Sequence, residues 1–313
     1  MTNKIVLTIL LICNTTLLTA NAETNPFSFL GTNSSARASA LSGAFVSFQD
    51  DVSGVFYNPA LLNTITNKRI ATTFQKHVLD INSGNIVYLR PKYDFGNLAL
   101  SANFLDYGSF DRRGKDGTKS GGTFGGQNLS INFAYANEID TNFYYGVTLK
   151  YIYSSLDKYG ASAFAIDAGL LYKYNDRTNI GVSILNSGMQ LTKFNGETYN
   201  LPLDIRAGFS HRLKGLPILF NFSFHHLADS EDNFFDRFSH FAIGGEIYFG
   251  KYVIGRLGYD NKVRNEISPD IERGLSGFSG GIGVNLNDFN IDYSINKYGA
   301  DAIIHRFSLS LDI

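Results

Sequence analysis

Histidine is the first residue type to search for chemistry, because an imidazole serves as a base or a metal ligand near neutral pH. His77, His211, His240 and His305 are scattered along the chain, and no His-Glu-x-x-His spacing occurs. His225 and His226 are neighbours. On an alternating strand their side chains leave opposite faces, so the spacing predicts that they do not share an ion. Asp229, Glu231, Asp232 and Asp236 offer the oxygen ligands calcium prefers, but without the glycine turn and ordered spacing of a calcium loop. They read as a solvated outer loop. Gly121-Gly122 and Gly125-Gly126 lack the Lys-Ser/Thr of a phosphate loop, and there is no nucleophile elbow. The expectation is a non-enzymatic protein with no catalytic residue, no metal and no cofactor. Its 27 Lys+Arg against 28 Asp+Glu argue against nucleic acid as a partner.

Another set of charges has a period of two. Lys150, Asp167, Asp204, Arg206, Glu246, Arg256, Asp292 and Arg306, with Asn221 and Asn285, fall on one face of alternating segments, among small residues. The opposite face is apolar and aromatic. Charges of both signs in a narrow lumen are expected to pair, because burying either alone is costly. A selectivity ring would carry one sign. The pattern therefore predicts a stabilising charge network lining a lumen.

The elements that position these charges follow from the same alternation. Leu129, Ile131, Phe133 and Tyr135 alternate with Ser130, Asn132 and Ala134, and Val147, Leu149, Tyr151 and Tyr153 alternate with Gly146, Thr148 and Lys150. The pattern recurs from Arg69 to Ile313 and divides into about 14 strands, the even number usual for bacterial barrels. Links after even-numbered strands are short, such as Glu138-Ile139-Asp140 and Asn287-Asp288. Links after odd-numbered strands are mostly long: 107–124, 187–200, 227–237 and 261–274. Transmembrane barrels combine short periplasmic turns with long outer loops. The 31 Gly, 26 Phe and 18 Tyr against 6 Pro suit the same architecture. The predicted fold is all-β, a transmembrane antiparallel barrel over residues 66–313 set in outer-membrane lipid.

Two segments precede the barrel. Residues 1–22 combine Lys4, an apolar run from Ile5 to Leu18 and Ala20-Asn21-Ala22, the form of a cleaved secretory signal. Cys13 lies in that run after Ile12, where a lipoprotein cut would need a small residue. A mature chain starting near Glu23 would have no thiol. Residues 23–65 are apolar and rich in small residues, and Asn58-Pro59 reads as a helix cap followed by proline at the first helical position. A short helical plug inside the barrel is the natural home for this segment. Phe45, Val46, Phe48, Val55, Phe56 and Leu61 either line a tunnel through the plug or pack it.

Several stretches carry a family resemblance. They are Phe29-Leu30, Ser35-Ala36-Arg37-Ala38-Ser39-Ala40-Leu41, Gly43-Ala44, Asp50-Asp51-Val52 and Tyr57-Asn58-Pro59-Ala60-Leu61-Leu62, followed by 106–110, 155–159, 165–170 and 201–204. Together they resemble the PorV/PorQ family of outer-membrane proteins, and PorQ most. Ser42 departs from the pattern where a second glycine is common, and Ile313 replaces the usual aromatic C-terminus. The resemblance implies a barrel like that of FadL-type fatty-acid transporters. It also implies a docking role in the type IX secretion system of Bacteroidetes-like bacteria, with other outer-membrane and surface proteins of that system as partners. Within the plug it singles out Arg37, Asp50, Asp51, Asn58 and Pro59 as structural or docking residues. The charged loops 111–116 and 229–236 are the expected contacts. The alternative is a FadL-like transporter of hydrophobic small molecules across the outer membrane.

Overall fold

Fourteen antiparallel strands close into one barrel in the computed structural model, which describes residues 25–77, 81–91, 95–114, 117–231, 233–266, 274–298 and 302–313. The expected signal segment with Cys13 lies outside the described residues, as do Lys115, Asp116 and Asp232 of the two charged loops. The strands are β1 (Arg69–Lys76), β2 (Asn82–Arg90), β3 (Asn97–Arg113), β4 (Lys119–Asp140), β5 (Phe143–Leu156), β6 (Tyr159–Asn175) and β7 (Thr178–Gln190). They continue as β8 (Asp204–Arg212), β9 (Ile218–Phe224), β10 (Phe241–Phe249), β11 (Val253–Asp260), β12 (Phe278–Leu286), β13 (Phe289–Tyr298) and β14 (Ala302–Asp312). Each pairs with the next, and β14 closes on β1 with Arg69 opposite Asp312. Closure leaves no strand edge, which an apolar solvent would not tolerate.

Burial alternates in the inverse of a soluble protein. On β5, Thr148, Lys150, Ile152 and Ser154 face inward and are buried, while Val147, Leu149, Tyr151 and Tyr153 are exposed. Phe133, Phe164, Ile180 and Phe307 continue that outer apolar belt around the wall. An apolar exterior around a polar interior is the signature of a barrel that spans a membrane.

Long links follow only β7, β9 and β11, at 191–203, 225–240 and 261–277. They mark one end of the barrel, and the two-residue turns 141–142, 176–177 and 287–288 mark the other. A short α-helix, Asn261–Glu266, lies within the third long link. The expected loop at 107–124 is instead a hairpin, because β3 and β4 extend past the belt and pair again after a bulge between Asp106 and Ser109. Side chains hold the extension together: Phe110 and Phe124 pack with ring centroids 5.5 Å apart, and Lys119 bridges to Asp111 at 2.6 Å. The glycine content of 108–126 reads as loop in sequence, but here it serves the bulge and twist of paired strands.

The plug fills the lumen ahead of β1. It consists of α1 (Ala36–Ala40) and three 3-10 turns, Ser28–Gly31, Val52–Phe56 and Pro59–Thr64. Three of the four have side-chain caps: Ser35 accepts from Ala38 N at 3.1 Å, Asp51 from Ser53 N at 2.8 Å and Asn58 from Ala60 N at 3.0 Å. Such a cap supplies a partner to a backbone N–H that the turn itself leaves open. Ala36, Ala38 and Ala40 are fully buried, so the wall approaches α1 closely. Wall glycines make room elsewhere. A Cβ on Gly169 would overlap the Asn58 side chain, and one on Gly146 would overlap the backbone at Pro59 and Ala60. The core of the plug is Phe45 stacked on Phe48 at 4.5 Å, with Tyr57 5.2 Å from Phe45. Phe45, Val46, Val55 and Leu61 are buried and pack the plug, Phe56 is partly buried against the same core, and Phe48, also buried, borders a cavity at the short-turn end.

Candidate functional site

The charges predicted for the lumen are buried, and each has a definite partner. Arg37 of the plug reaches the wall, placing Nε 2.8 Å from Glu246 Oε1 and Nη2 3.0 Å from Oε2. Arg256 approaches the same Oε1 at 2.6 Å and extends Nη1 to Asp292 Oδ1 at 2.6 Å. Asp51 lies 3.6 Å from Arg37 on the plug side. A chain of alternating charge thus runs from Asp51 through Arg37, Glu246 and Arg256 to Asp292. Tyr248 donates its hydroxyl to Glu246 at 2.7 Å, and the Arg37 guanidinium lies 4.4 Å above the Phe48 ring. Asp50 pairs with Arg69 at 2.8 Å, and Arg69 also binds Asp312, so plug, first strand and last strand meet at one guanidinium.

The remaining charges form separate units. Lys150 and Asp167 pair at 2.6 Å, and Asp204 and Arg206 at 2.7 Å. Arg306 is different. It is 2% exposed and donates to Gln75, Ser39 and Asn296, with no carboxylate bridge among the described residues. Asn58 does more than cap its turn. Its amide donates to Val46 O at 2.8 Å and to Leu170 O at 2.9 Å, tying the plug to β6. Pro59 is the first residue of the turn that follows.

Two cavities flank the plug. At the short-turn end, about 280 Å³ is lined by Arg37, Asp50, Asp51, Arg177, Arg212 and Tyr248. At the long-loop end, about 320 Å³ is lined by Gln75, His77, Arg206, His225, Ile304 and Arg306, among others. Burial, reinforced by the charge on Arg306, lowers the pKa of His77 to about 4 and keeps that ring neutral at pH 7.

The histidines do not lie as their spacing suggested. β9 ends at Phe224, and His226 takes a left-handed backbone conformation, with φ 55°. The turn brings the His225 and His226 rings 5.2 Å apart instead of sending them to opposite faces. His240, at the far end of the same link, joins Asp229 and Glu231. Alternation holds only inside a strand, and these residues lie just beyond one. The docking loops are also changed. Asp111 and Arg112 stand on β3 and are paired with Lys119 and Asp157.

These features define a plugged, membrane-spanning barrel of 14 strands. The sequence matches no known family profile and no curated protein. Among solved structures the fold is similar to the CymD monoaromatic hydrocarbon channel, with a TM-score of 0.63 at 11% identity over 90% of this chain and 97% of that one. It is similar to the Pseudomonas putida toluene transporter TodX, at a TM-score of 0.60 and 11% identity over 88% and 96% of the two chains. It is also similar to a Pseudomonas aeruginosa FadL homologue, at a TM-score of 0.57 and 11% identity over 89% and 98%. These matches overturn the expectation of a type IX secretion component. The first two of these barrels are named as a channel and a transporter. A plug and a paired-charge lumen are therefore no argument for docking over passage.

Proposed function

We propose that this protein carries small hydrophobic molecules across the outer membrane of a Gram-negative bacterium. The observation that supports this most directly is the divided lumen, with a cavity of about 320 Å³ outside the plug and one of about 280 Å³ beneath it. Passage then requires the plug to shift, and the plug is held to the wall by hydrogen bonds and ion pairs. The outer cavity mixes Val263 and Ile304 with Gln75, His225 and Arg306. The lining is mostly polar, with Val263 and Ile304 as its apolar side chains, and this favours a solute that joins a small apolar body to a hydrogen-bonding group. At the rim, Phe234, Phe235 and Phe238 stand 64%, 78% and 42% exposed on the link between β9 and β10. They offer such a solute a first apolar surface outside the cavity.

The test is binding of an alkylphenol to the full chain in lipid nanodiscs. Saturable binding to the native protein, lost when Ile304→Arg fills the outer cavity, is the expected result. Equal binding to an Ile304→Arg barrel that remains folded would contradict the proposal.

A further inference from the structure

The link between β9 and β10 gathers ligand groups that no part of the transport reading uses. Single ligand atoms of Asp229, Glu231 and His240 all lie within 4.8 Å of one another. His240 Nε2 is 3.3 Å from Glu231 Oε1, and His226 Nδ1 is 3.6 Å from Asp229 Oδ1. Ligands held tetrahedrally at zinc's bond lengths of about 2.0–2.1 Å stand roughly 3.4 Å apart. The His240–Glu231 pair therefore already has the spacing of a ligand edge.

His240 supplies an independent observation. It is 7% exposed, its ring is directed at Glu231, and its Nδ1 has no hydrogen-bond partner. The neighbours hold the other groups in place. The backbone N–H of His226 donates to Asp204 Oδ1 at 2.6 Å, and Lys262 takes the second oxygen of Asp229 at 2.6 Å. That leaves Asp229 Oδ1 directed toward His226.

We propose that Asp229, Glu231 and His240 bind one divalent transition-metal ion of the zinc class at the long-loop mouth, with water in the fourth position. Imidazole beside carboxylate suits zinc, copper or nickel, whereas calcium takes oxygen ligands alone. His226 and Asp229 lie at the start of the 225–240 link and His240 at its end. The ion would clasp the link at both ends beside the outer cavity, which His226 and Lys262 help to line. The proposal is independent of what the barrel carries.

The experiment is a zinc titration of the detergent-solubilised full chain by equilibrium dialysis, with calcium run in parallel. One equivalent of zinc and no competing calcium are expected. Loss of partners one shell removed from a metal already costs 10–100-fold in affinity, so His240→Ala and Glu231→Gln should each cost at least about tenfold. Lys262→Met removes a neighbouring cation and should tighten binding, a gain that misfolding would not produce. Bound zinc should also protect the 225–240 link from protease. If His240→Ala disturbs assembly, Glu231→Gln carries the test, because Glu231 is part-exposed at the rim. Absence of one-equivalent zinc binding, or binding unchanged in a folded Glu231→Gln barrel, would overturn the proposal.

Discussion

Arg37 of the plug and Glu246 of the wall meet in a two-pronged ion pair, at 2.8 and 3.0 Å, and Arg256 shares the same carboxylate at 2.6 Å. Glu246 is fully buried, so its charge is compensated only by these partners. Glu246→Gln would leave two guanidiniums facing each other across a neutral amide. Removing one partner of a buried pair costs roughly 3–5 kcal/mol. The variant barrel should lose its heat-modifiable form at a lower temperature and conduct more ions in planar bilayers. Unchanged conductance and thermal behaviour would show that this pair does not seat the plug.

Gly169 gives a second test of seating, because any Cβ there overlaps Asn58. Gly169→Val should leave an assembled barrel whose residues 27–64 become open to protease. Gly245→Val is the control, since a Cβ at Gly245 meets nothing within 4 Å. Equal protease resistance in the two variants would count against close packing of the plug at β6.

Acid should loosen the long-loop end through His77. Its folded pKa of about 4 lies below the ordinary 6.5, so the unfolded chain binds the proton more readily. The stability this neutral ring contributes is present above pH 6.5 and is lost as pH falls from 6.5 toward 4. Gln75 and Ser83 hydrogen-bond the ring, and Arg306 is the charge that opposes its protonation. His77→Gln should flatten the pH dependence of thermal stability in that window. A native-like slope in His77→Gln would assign the effect to another group.

The Phe234, Phe235 and Phe238 rim should matter for capture rather than for assembly. Replacing Phe234 and Phe235 with serine removes two exposed rings that the barrel wall does not need. Uptake of a hydrophobic solute should fall several-fold at low concentration, with thermal stability retained. Full uptake in the double variant would remove the rim from the pathway.

The strands were legible because lipid imposes a strict period of two on one face, and Val147, Leu149, Tyr151 and Tyr153 show it without interruption. The plug was legible for a different reason. Ser35, Asp51 and Asn58 are cap residues, and the small side chains of α1 allow close approach to the wall. The hairpin at 107–124 was not, since glycine marks both loops and bulged strands. The inward charges could be named but not paired, because register decides which meet. Arg306, with its neutral partners, is the case that charge balance alone does not foresee. The meeting of Asp229, Glu231 and His240 lies in a link that leaves β9 through a left-handed turn at His226, which no periodicity reports. Ser42 shows the converse. It stands where the resembled family commonly has glycine, and it adopts φ 53°, a conformation glycine enters without strain. Its hydroxyl meets that of Ser279 at 2.7 Å, a contact glycine would lack.

The central claim is passage of small hydrophobic molecules, and uptake tests it most directly. Native chain and Glu246→Gln would be expressed in a bacterial host whose own channels of this kind have been deleted, and entry of a labelled alkylphenol would be timed against a sugar of similar size. The account predicts faster alkylphenol entry with the native chain than with an empty vector, and no change for the sugar. It also predicts that Glu246→Gln, with its plug loosened, admits both. Alkylphenol entry no faster than with the empty vector, from a barrel shown to be assembled in the outer membrane, would contradict it.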